Sequence, residues 1–379
     1  MSYETSCFDV AVIGGGPAGS AAAIGLSQLG HNVILLDKSI TVSPKVGEIL
    51  PPSAKPFLNM LGVWTTFKEI GSIPSYGAMS AWGGNVLLSN SFIFSPYVLG
   101  WHIDRQLFDD MLIQCAIKQG TVVLTDSYVT QLVSKMDAGW LLEFQAKSED
   151  NGRFAVRSIC AKVIINATGR TSNLFQKLGS RQIIYDSLVG LGVRFKAPAG
   201  YTGPFILTEA TEFGWWYSAE IPGGEFMVVF MTDADIAVKK ELLKLEEWMK
   251  NLEKSEHTKE RVHDFTPLWG PRIFSASSRM LRRSTYNDRW LAVGDAMMAV
   301  DPLSSKGILF ALRSGLNAVD VVDRVRSGDY SSIENYHKKV YNEFTQYLSD
   351  RNNIYSLEKR WTNSTFWKRR SVLKNYINE

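Results

Sequence analysis

Hydrophobic positions near the start of the chain fall into a pattern of run, stretch and run. Phe8-Asp9-Val10-Ala11-Val12-Ile13 is a short apolar run, and an Ala-rich stretch follows over residues 20–29. Gly30 stops that stretch, and Val33-Ile34-Leu35-Leu36 is a second run. Short apolar runs bounded by glycine read as buried strands, and the stretch between them reads as a helix, so residues 1–40 predict a β-α-β unit. A Pro-rich loop over 41–60 leads into a helix at about 54–61, and residues 70–100 carry short alternating strands rich in Gly, Ser and aromatics. An amphipathic helix is predicted over 107–119, ended by Gly120, with strands at 122–124, 128–134 and 140–146. The polar turn Ser148-Glu149-Asp150-Asn151-Gly152 then leads to strands at 154–159 and 161–166. Period-two alternation over 180–235 predicts a sheet, and 237–263 reads as charged, solvated helix. A buried strand returns at 290–294, followed by a strong helix over 307–326 and further helices over 331–370.

That ordering makes the first domain discontinuous. A chain of 379 residues exceeds one typical core, which predicts two joined domains. The first takes residues 1–75, 101–178 and 275–335, and the second takes 76–100 and 179–274. A helical segment over 336–379 closes the chain. The fold class is α/β (α+β), with a Rossmann-like domain interleaved with a β-sheet domain.

Composition narrows the function classes. Hydrophobic residues at 45% and charged residues at 21% fit a soluble globular protein, and a net charge of +3 is too small for nucleic-acid binding. No apolar run approaches the roughly 18 residues of a spanning helix. The first strand begins at residue 8, which leaves no room for a signal peptide, so a cytoplasmic location is expected. Cys7, Cys115 and Cys160 show no metal-ligand spacing. An odd, sparse set predicts free thiols in a reducing compartment, with Cys160 a small core residue. His31, His102, His257, His263 and His337 show no metal-ligand spacing either, and no metal is expected.

The chemistry-bearing motifs start with Gly14-Gly15-Gly16-Pro17-Ala18-Gly19, a G-x-G-x-x-G between strand and helix. Gly14 allows a tight turn, Gly16 lets backbone approach a pyrophosphate, and Gly19 lets helix and strand pack closely. The helix N-terminus then faces the phosphates. Asp37 stands 18 residues after Gly19, at the end of the second strand, where an acceptor for ribose hydroxyls belongs, and Lys38 follows it. A late strand, Leu291-Ala292-Val293-Gly294-Asp295-Ala296, ends in a second acid. A flavin needs such a group, because its ribityl chain lies far from the adenine end. Downstream is Asp301-Pro302-Leu303-Ser304-Ser305-Lys306-Gly307-Ile308. Pro302 stiffens the turn, Ser304 or Ser305 can cap the following helix, and that N-terminus would face the flavin pyrimidine edge, with Lys306 adding positive charge.

Together these markers resemble the glutathione-reductase-2 type of FAD-dependent monooxygenases over most of the chain. The resemblance implies that FAD is held by the residues just described together with Gly47, Arg105, Val129, Thr168 and Gly169, with Arg105 at the diphosphate. Asn166-Ala167-Thr168-Gly169-Arg170-Thr171-Ser172 matches the family's middle motif, with Ala-Thr-Gly-Arg where many hydroxylases have Gly-Ala-Asp-Gly. That variant is similar to the tryptophan-halogenase-like branch. So are Lys45-Val46-Gly47-Glu48-Ile49-Leu50-Pro51-Pro52 and the ending from Arg360-Trp361 to Arg370. No second G-x-G-x-x-G appears, which implies electrons from transiently bound NAD(P)H or a separate reductase.

Two departures argue against halogenation. The halogenase pattern W-x-W-x-I-P is replaced by Trp215-Trp216-Tyr217-Ser218-Ala219-Glu220-Ile221-Pro222, whose adjacent tryptophans would face opposite sides of a strand. The lysine that halogenases place shortly before a Trp like Trp82 is missing from residues 70–82. A closer resemblance is to the flavoproteins that mature quinone-containing amino-acid oxidases, such as those serving lysine ε-oxidase and glycine oxidase. It rests on Gly47-Glu48…Leu50-Pro51-Pro52, Gly214-Trp215-Trp216-Tyr217 and the stretch from Asp301 to Ile308, where the family commonly has glutamine in place of Lys306.

This resemblance implies a protein partner, the oxidase precursor. One of its tryptophans would be hydroxylated through a flavin C4a-hydroperoxide on the way to cysteine tryptophylquinone. Trp82, Trp215, Trp216 and Tyr217 are candidates for the substrate pocket, and Glu48 and Lys306 for catalysis. A hydroxylase or halogenase of a free indole-type metabolite is the alternative, and a redox-inactive FAD-binding chaperone is a third. The basic, aromatic segment over 347–378 reads as a helical layer closing the cavity or as a partner surface.

Overall fold

The computed structural model describes residues 6–38, 47–134, 139–147, 154–170, 173–283, 286 and 288–371. Lys45, Val46, the turn over 148–152 and Thr171-Ser172 lie outside the described residues.

A seven-stranded sheet forms the first half of the molecule. Its centre is β1 (Cys7–Ile13), flanked in parallel by β2 (Val33–Leu36) and by the long strand Phe154–Asn166. The two strands predicted at 154–159 and 161–166 are thus one. Its first half pairs antiparallel with Trp140–Lys147, and its second half pairs in parallel with β1 and with Trp290–Ala292. Segments from the start, the middle and residue 290 therefore meet in one sheet. Each is uniformly apolar where the sheet is covered on both faces, as a parallel sheet requires.

Two helices hold that sheet on one face. The first, α1 (Pro17–Gln28), is buried along most of its length and packs on the helix Gly307–Arg326. Side chains such as Ile24 and Leu26 are fully buried there. Each contributes roughly 1.5–3 kcal/mol relative to exposure. The helix Arg105–Lys118 begins where Asp104 accepts hydrogen bonds from the N–H groups of Gln106 and Leu107, a cap contributing about 1 kcal/mol.

The thiol expectation is corrected here. Cys7 and Cys160 are direct register partners on adjacent strands, with Cα atoms 4.6 Å apart, and their sulfurs are joined in a disulfide. Spacing in sequence could not show a pairing across 153 residues, because sheet register creates it. Cys115 remains a free, buried thiol.

An eight-stranded sheet forms the second half. Its order runs Thr266–Pro267, Leu188–Lys196, Glu225–Asp233, Gly214–Ile221, Phe205–Thr211, Gly77–Ala81 and Leu88–Ser91, with Arg272–Ser275 also on Leu188–Lys196. One face holds Trp216, Phe230 and Trp248, and the other holds Trp215 and Met231. The charged region expected to be helical over 237–263 carries three short helices, Ala234–Lys239, Leu245–Leu252 and His257–Arg261. The helices Ser331–Ser356 and Thr365–Ser371 complete the molecule, and the second is tied down by Arg370, which is buried and pairs with buried Asp233 at 2.7 Å.

Candidate active site

Between the two sheets lies a cavity of about 340 Å³. On one side it is walled by the turn after β1 and the start of α1, where Gly16, Pro17 and Ala18 line it. Gly14 sits at φ +112°, and a Cβ there would lie 2.2 Å from the Ala167 carbonyl oxygen. A Cβ on Gly19 would lie 1.9 Å from the Gly14 oxygen, so helix, turn and central strand close up only with glycine at both positions. Gly16 caps α1 without any side-chain hydrogen bond, and a Cβ built on it meets nothing within 4 Å. The uncapped N–H groups of α1 thus border open space, as an anion site requires. Asp37 ends β2 and is buried. A Cβ on Gly15 would fall 2.7 Å from its carboxylate, so the acid lies directly beneath the glycine turn.

A second wall comes from Ala167, Gly169 and Arg170 just after the strand Phe154–Asn166, and from Val293 and Asp295 after Trp290–Ala292. Arg170 fixes Asp295 with a 2.8 Å ion pair while donating to the carbonyls of Ser277 and Val300. Nothing in the sequence motif around Arg170 signals this role. Pro302, Ser305, Gly307 and Ile308 form the third wall. Gly47 sits at φ +112° beside Arg105, and a Cβ there would meet the guanidinium at 2.6 Å. Arg105 is in turn held by buried Asp109 at 3.3 Å.

The second sheet supplies the remaining wall through Tyr217, Met231, Phe274 and Ser275, with Glu48 and Ile49 opposite. Glu48 is 2 % exposed. Its Oε2 accepts the Tyr217 hydroxyl at 3.2 Å, while Oε1 is buried with no hydrogen-bond partner. Burial pushes the Glu48 carboxyl up from its usual range. Nearby backbone N–H groups, the Arg105 charge and the Tyr217 hydroxyl oppose that rise without cancelling it. Burial also drives the Tyr217 hydroxyl well above its ordinary value, reinforced by the Glu48 charge.

Several candidates lie elsewhere. Trp82, Trp215 and Trp216 are not among the residues lining the cavity. Trp215 and Trp216 do face opposite sides of their strand. Trp216 packs on Phe230 and Trp248, whereas Trp215 donates its Nε1–H to the Tyr355 hydroxyl at 2.9 Å. Trp82 packs edge-on against Trp215, Tyr355 and Trp367 as a buttress behind the site. Lys306 is exposed and does not line the cavity. Neither Ser304 nor Ser305 caps the following helix. Instead Asp301 caps the short turn Pro302–Ser304, and Ser305 takes a left-handed conformation. The Thr168 hydroxyl turns to Asn166 at 2.7 Å, away from the cavity. Val129 is buried two residues from Ser127, whose N–H donates to the Asp37 carbonyl, and Lys38 is exposed next to that acid.

Met231, Phe274 and Ser275 carried no sequence signal, because their strands look like any other half-buried strand. Asp301 is the other residue missed. It is buried and accepts the Tyr355 hydroxyl at 2.8 Å, and its N–H donates to the Tyr347 hydroxyl at 2.7 Å. Among the described residues no group of three or more His, Cys, Asp or Glu could hold a metal ion, and no helix is long and apolar enough to cross a membrane.

An open glycine cradle at an uncapped helix start, an acid under it and a second acid on a late strand are what an FAD diphosphate, ribose and ribityl chain need. The family comparison agrees, since residues 7–343 match the model of the FAD binding domain family. The chain belongs to that family. It is an FAD-dependent oxidoreductase. It is 29% identical over 371 residues to LodB of Marinomonas mediterranea, which carries the name FAD-dependent oxidoreductase, and the match covers 96% of each chain. Its fold is that of the myxobacterial chondrochloren halogenase CndH, with a TM-score of 0.86, 22% identity and coverage of 98% of this chain and 87% of that one. The same fold occurs in the peptidyl tryptophan dihydroxylase QhpG, essential for tryptophylquinone cofactor biogenesis. There the TM-score is 0.76 at 21% identity, covering 98% of this chain and 80% of that one. Gly16 to Ala18 with the α1 N-terminus would hold the diphosphate of FAD, Asp37 the adenosine ribose, and Asp295 the ribityl chain.

Proposed function

We propose that this flavoprotein is a monooxygenase that hydroxylates a tryptophan side chain within the precursor of a quinone-containing amino-acid oxidase. The observation that carries the reading is the Glu48–Tyr217 pair in a cavity wall with no lysine among its described lining residues. Bound FAD, once reduced, supplies the oxygen chemistry. The protein must hold an indole, exclude water and manage one proton.

Glu48 is suited to the proton. Oε2 accepts from Tyr217, which leaves Oε1 as the oxygen open to carry the proton of the neutral carboxyl. Its raised pKa keeps that proton to higher pH than an ordinary carboxyl would. An acid so placed would protonate the oxygen atom of O₂ that is not transferred to the indole and that leaves as water when the O–O bond breaks, with reduced FAD supplying the two electrons. Met231, Phe274 and Ile49 provide apolar surface for the indole. The likeness to LodB along the whole chain, and the shared fold with a peptidyl tryptophan dihydroxylase, support a protein-borne substrate.

The experiment is to capture the tagged protein from its native cells and analyse co-purifying proteins by mass spectrometry at individual tryptophans. A stoichiometric partner whose tryptophan gains one or two oxygen atoms only when this flavoprotein is present supports the reading. A partnerless protein that, with reduced FAD, oxygenates or halogenates free indole supports a small-molecule enzyme, the reading that the halogenase fold favours.

A further inference from the structure

The second sheet does not end at the cavity. Tyr217, which meets Glu48, is register partner of Thr208, Thr208 of Ser80, and Ser80 of Leu88. Directly opposed residues share a face, so these four side chains form one row from the cavity to the sheet edge. Three inter-strand spacings make the row about 14 Å long. None of the four is fully buried, and Leu88 at the edge is 61% exposed.

The edge itself is unusual. Among the described residues Leu88–Ser91 is the last strand of the sheet and pairs only with Gly77–Ala81, so its outward backbone groups meet no described strand. Proteins usually blunt such an edge with charge or proline. Here residues 86–98 contain neither Lys, Arg, Asp nor Glu, and their one proline is Pro96 in the following loop. They expose Val86, Leu88, Ile93, Phe94, Tyr97 and Val98, with Phe94 92% exposed. Val98 holds φ +61°, a left-handed conformation that a β-branched residue seldom adopts, and such strain concentrates at functional segments. The loop then enters the strand Gly100–His102, which pairs with Ile49–Leu50, and the Ile103 N–H donates to the Glu48 carbonyl at 2.8 Å. The apolar loop is therefore tied directly to the segment carrying Glu48.

We propose that the edge Leu88–Ser91, with its flanking apolar loop, docks an extended segment of the polypeptide substrate as an added strand. The inference rests on the protein-substrate reading. Free outward backbone groups call for another extended backbone, and an uncharged apolar rim calls for apolar side chains on it. A strand added there runs about 19 Å from Tyr217, which an extended chain spans in about six residues. The docked segment is thus an anchor separate from the target indole, and the row between gives the intervening residues a surface to follow.

The test uses the full-length flavoprotein, loaded with FAD, and the precursor that co-purifies with it. Leu88→Asp and Phe94→Asp place charge on the docking surface at exposed positions, and Val238→Asp places the same charge on an exposed site elsewhere. FAD affinity and thermal midpoint report folding. The expected result is at least a tenfold fall in kcat/KM for the precursor in the first two variants, borne by KM, with Val238→Asp unchanged. Amide exchange in Leu88–Ser91 should also slow on adding precursor to the wild-type protein. Precursor oxygenation at wild-type efficiency in Leu88→Asp with Phe94→Asp, with no amide protection, overturns the docking site and leaves the proposed function standing. A wild-type protein that leaves every tryptophan of the precursor unmodified overturns the proposed function and the docking site together.

Discussion

In the proposed reaction Glu48 is the residue on which the chemistry turns. Replacing it with glutamine keeps the shape and the contact with Tyr217 but removes the proton. Glu48→Gln is expected to slow substrate oxygenation by about 100-fold or more while leaving FAD affinity within a few-fold, as stopped-flow and flavin titration would show. The sign of the pH dependence follows from the raised carboxyl pKa. If the acid form is the active one, as proposed, wild-type activity is expected to fall as pH rises through that pKa, and the variant to lose this alkaline limb. Gly47 gives a second expectation. Its φ of +112° and the Arg105 guanidinium beside it leave no room for a methyl group, so Gly47→Ala should displace Arg105 and weaken FAD binding tenfold or more, measured by flavin fluorescence. Sequence alone exposed both residues, because glycine and acid in a Pro-rich loop stand out. It could not see that Oε1 of Glu48 lacks a partner, nor that Lys306 points to solvent, since both depend on how distant segments meet.

Elements were legible where local pattern decides them. The helix Gly307–Arg326 matches its predicted span, because apolar periodicity and the preceding turn set its bounds. The adjacent tryptophans took opposite faces as the period of a strand demands. What local pattern could not show is which sheet face meets the cofactor, so Trp82 and Trp215, predicted to line the pocket, instead brace Tyr355 behind it. The last helix presents a further test. Burial alone would raise the Asp233 carboxyl, but the charge and hydrogen bonds of Arg370, with help from Arg369, hold it below its usual range. Removing one partner of a buried pair leaves the other uncompensated. Arg370→Leu is therefore expected to lower unfolding free energy by about 3–5 kcal/mol, read by urea denaturation.

At the scale of the whole molecule, the two large sheets have separate cores and border the cavity, and the three segments proposed to cradle the cofactor were legible in sequence before the seven-stranded sheet brought them together. The disulfide between Cys7 and Cys160 was not, because it arises from strand register. Stability of the assembled molecule should depend on acid. Burial lowers His102 to about 4, and burial with the Arg283 charge lowers His337 to about 3, so both stay neutral in the folded chain while the unfolded chain protonates near 6.5. The unfolded state then binds more protons below that value, and stability falls as pH drops from 6.5 toward 4. Each histidine should remove about 1.6 kcal/mol between pH 6.5 and 5, and replacing His102 with glutamine should flatten the slope measured by denaturation across that range.

The measurement that bears most directly on the central claim is residue-level mass spectrometry of the co-purifying oxidase precursor after reaction with the purified flavoprotein, reduced FAD and ¹⁸O₂. The expected result is a single tryptophan carrying one or two ¹⁸O atoms in the wild-type reaction, and at most a trace with Glu48→Gln. An unlabelled precursor in a reaction that consumes oxygen, with label appearing on free indole instead, would contradict it.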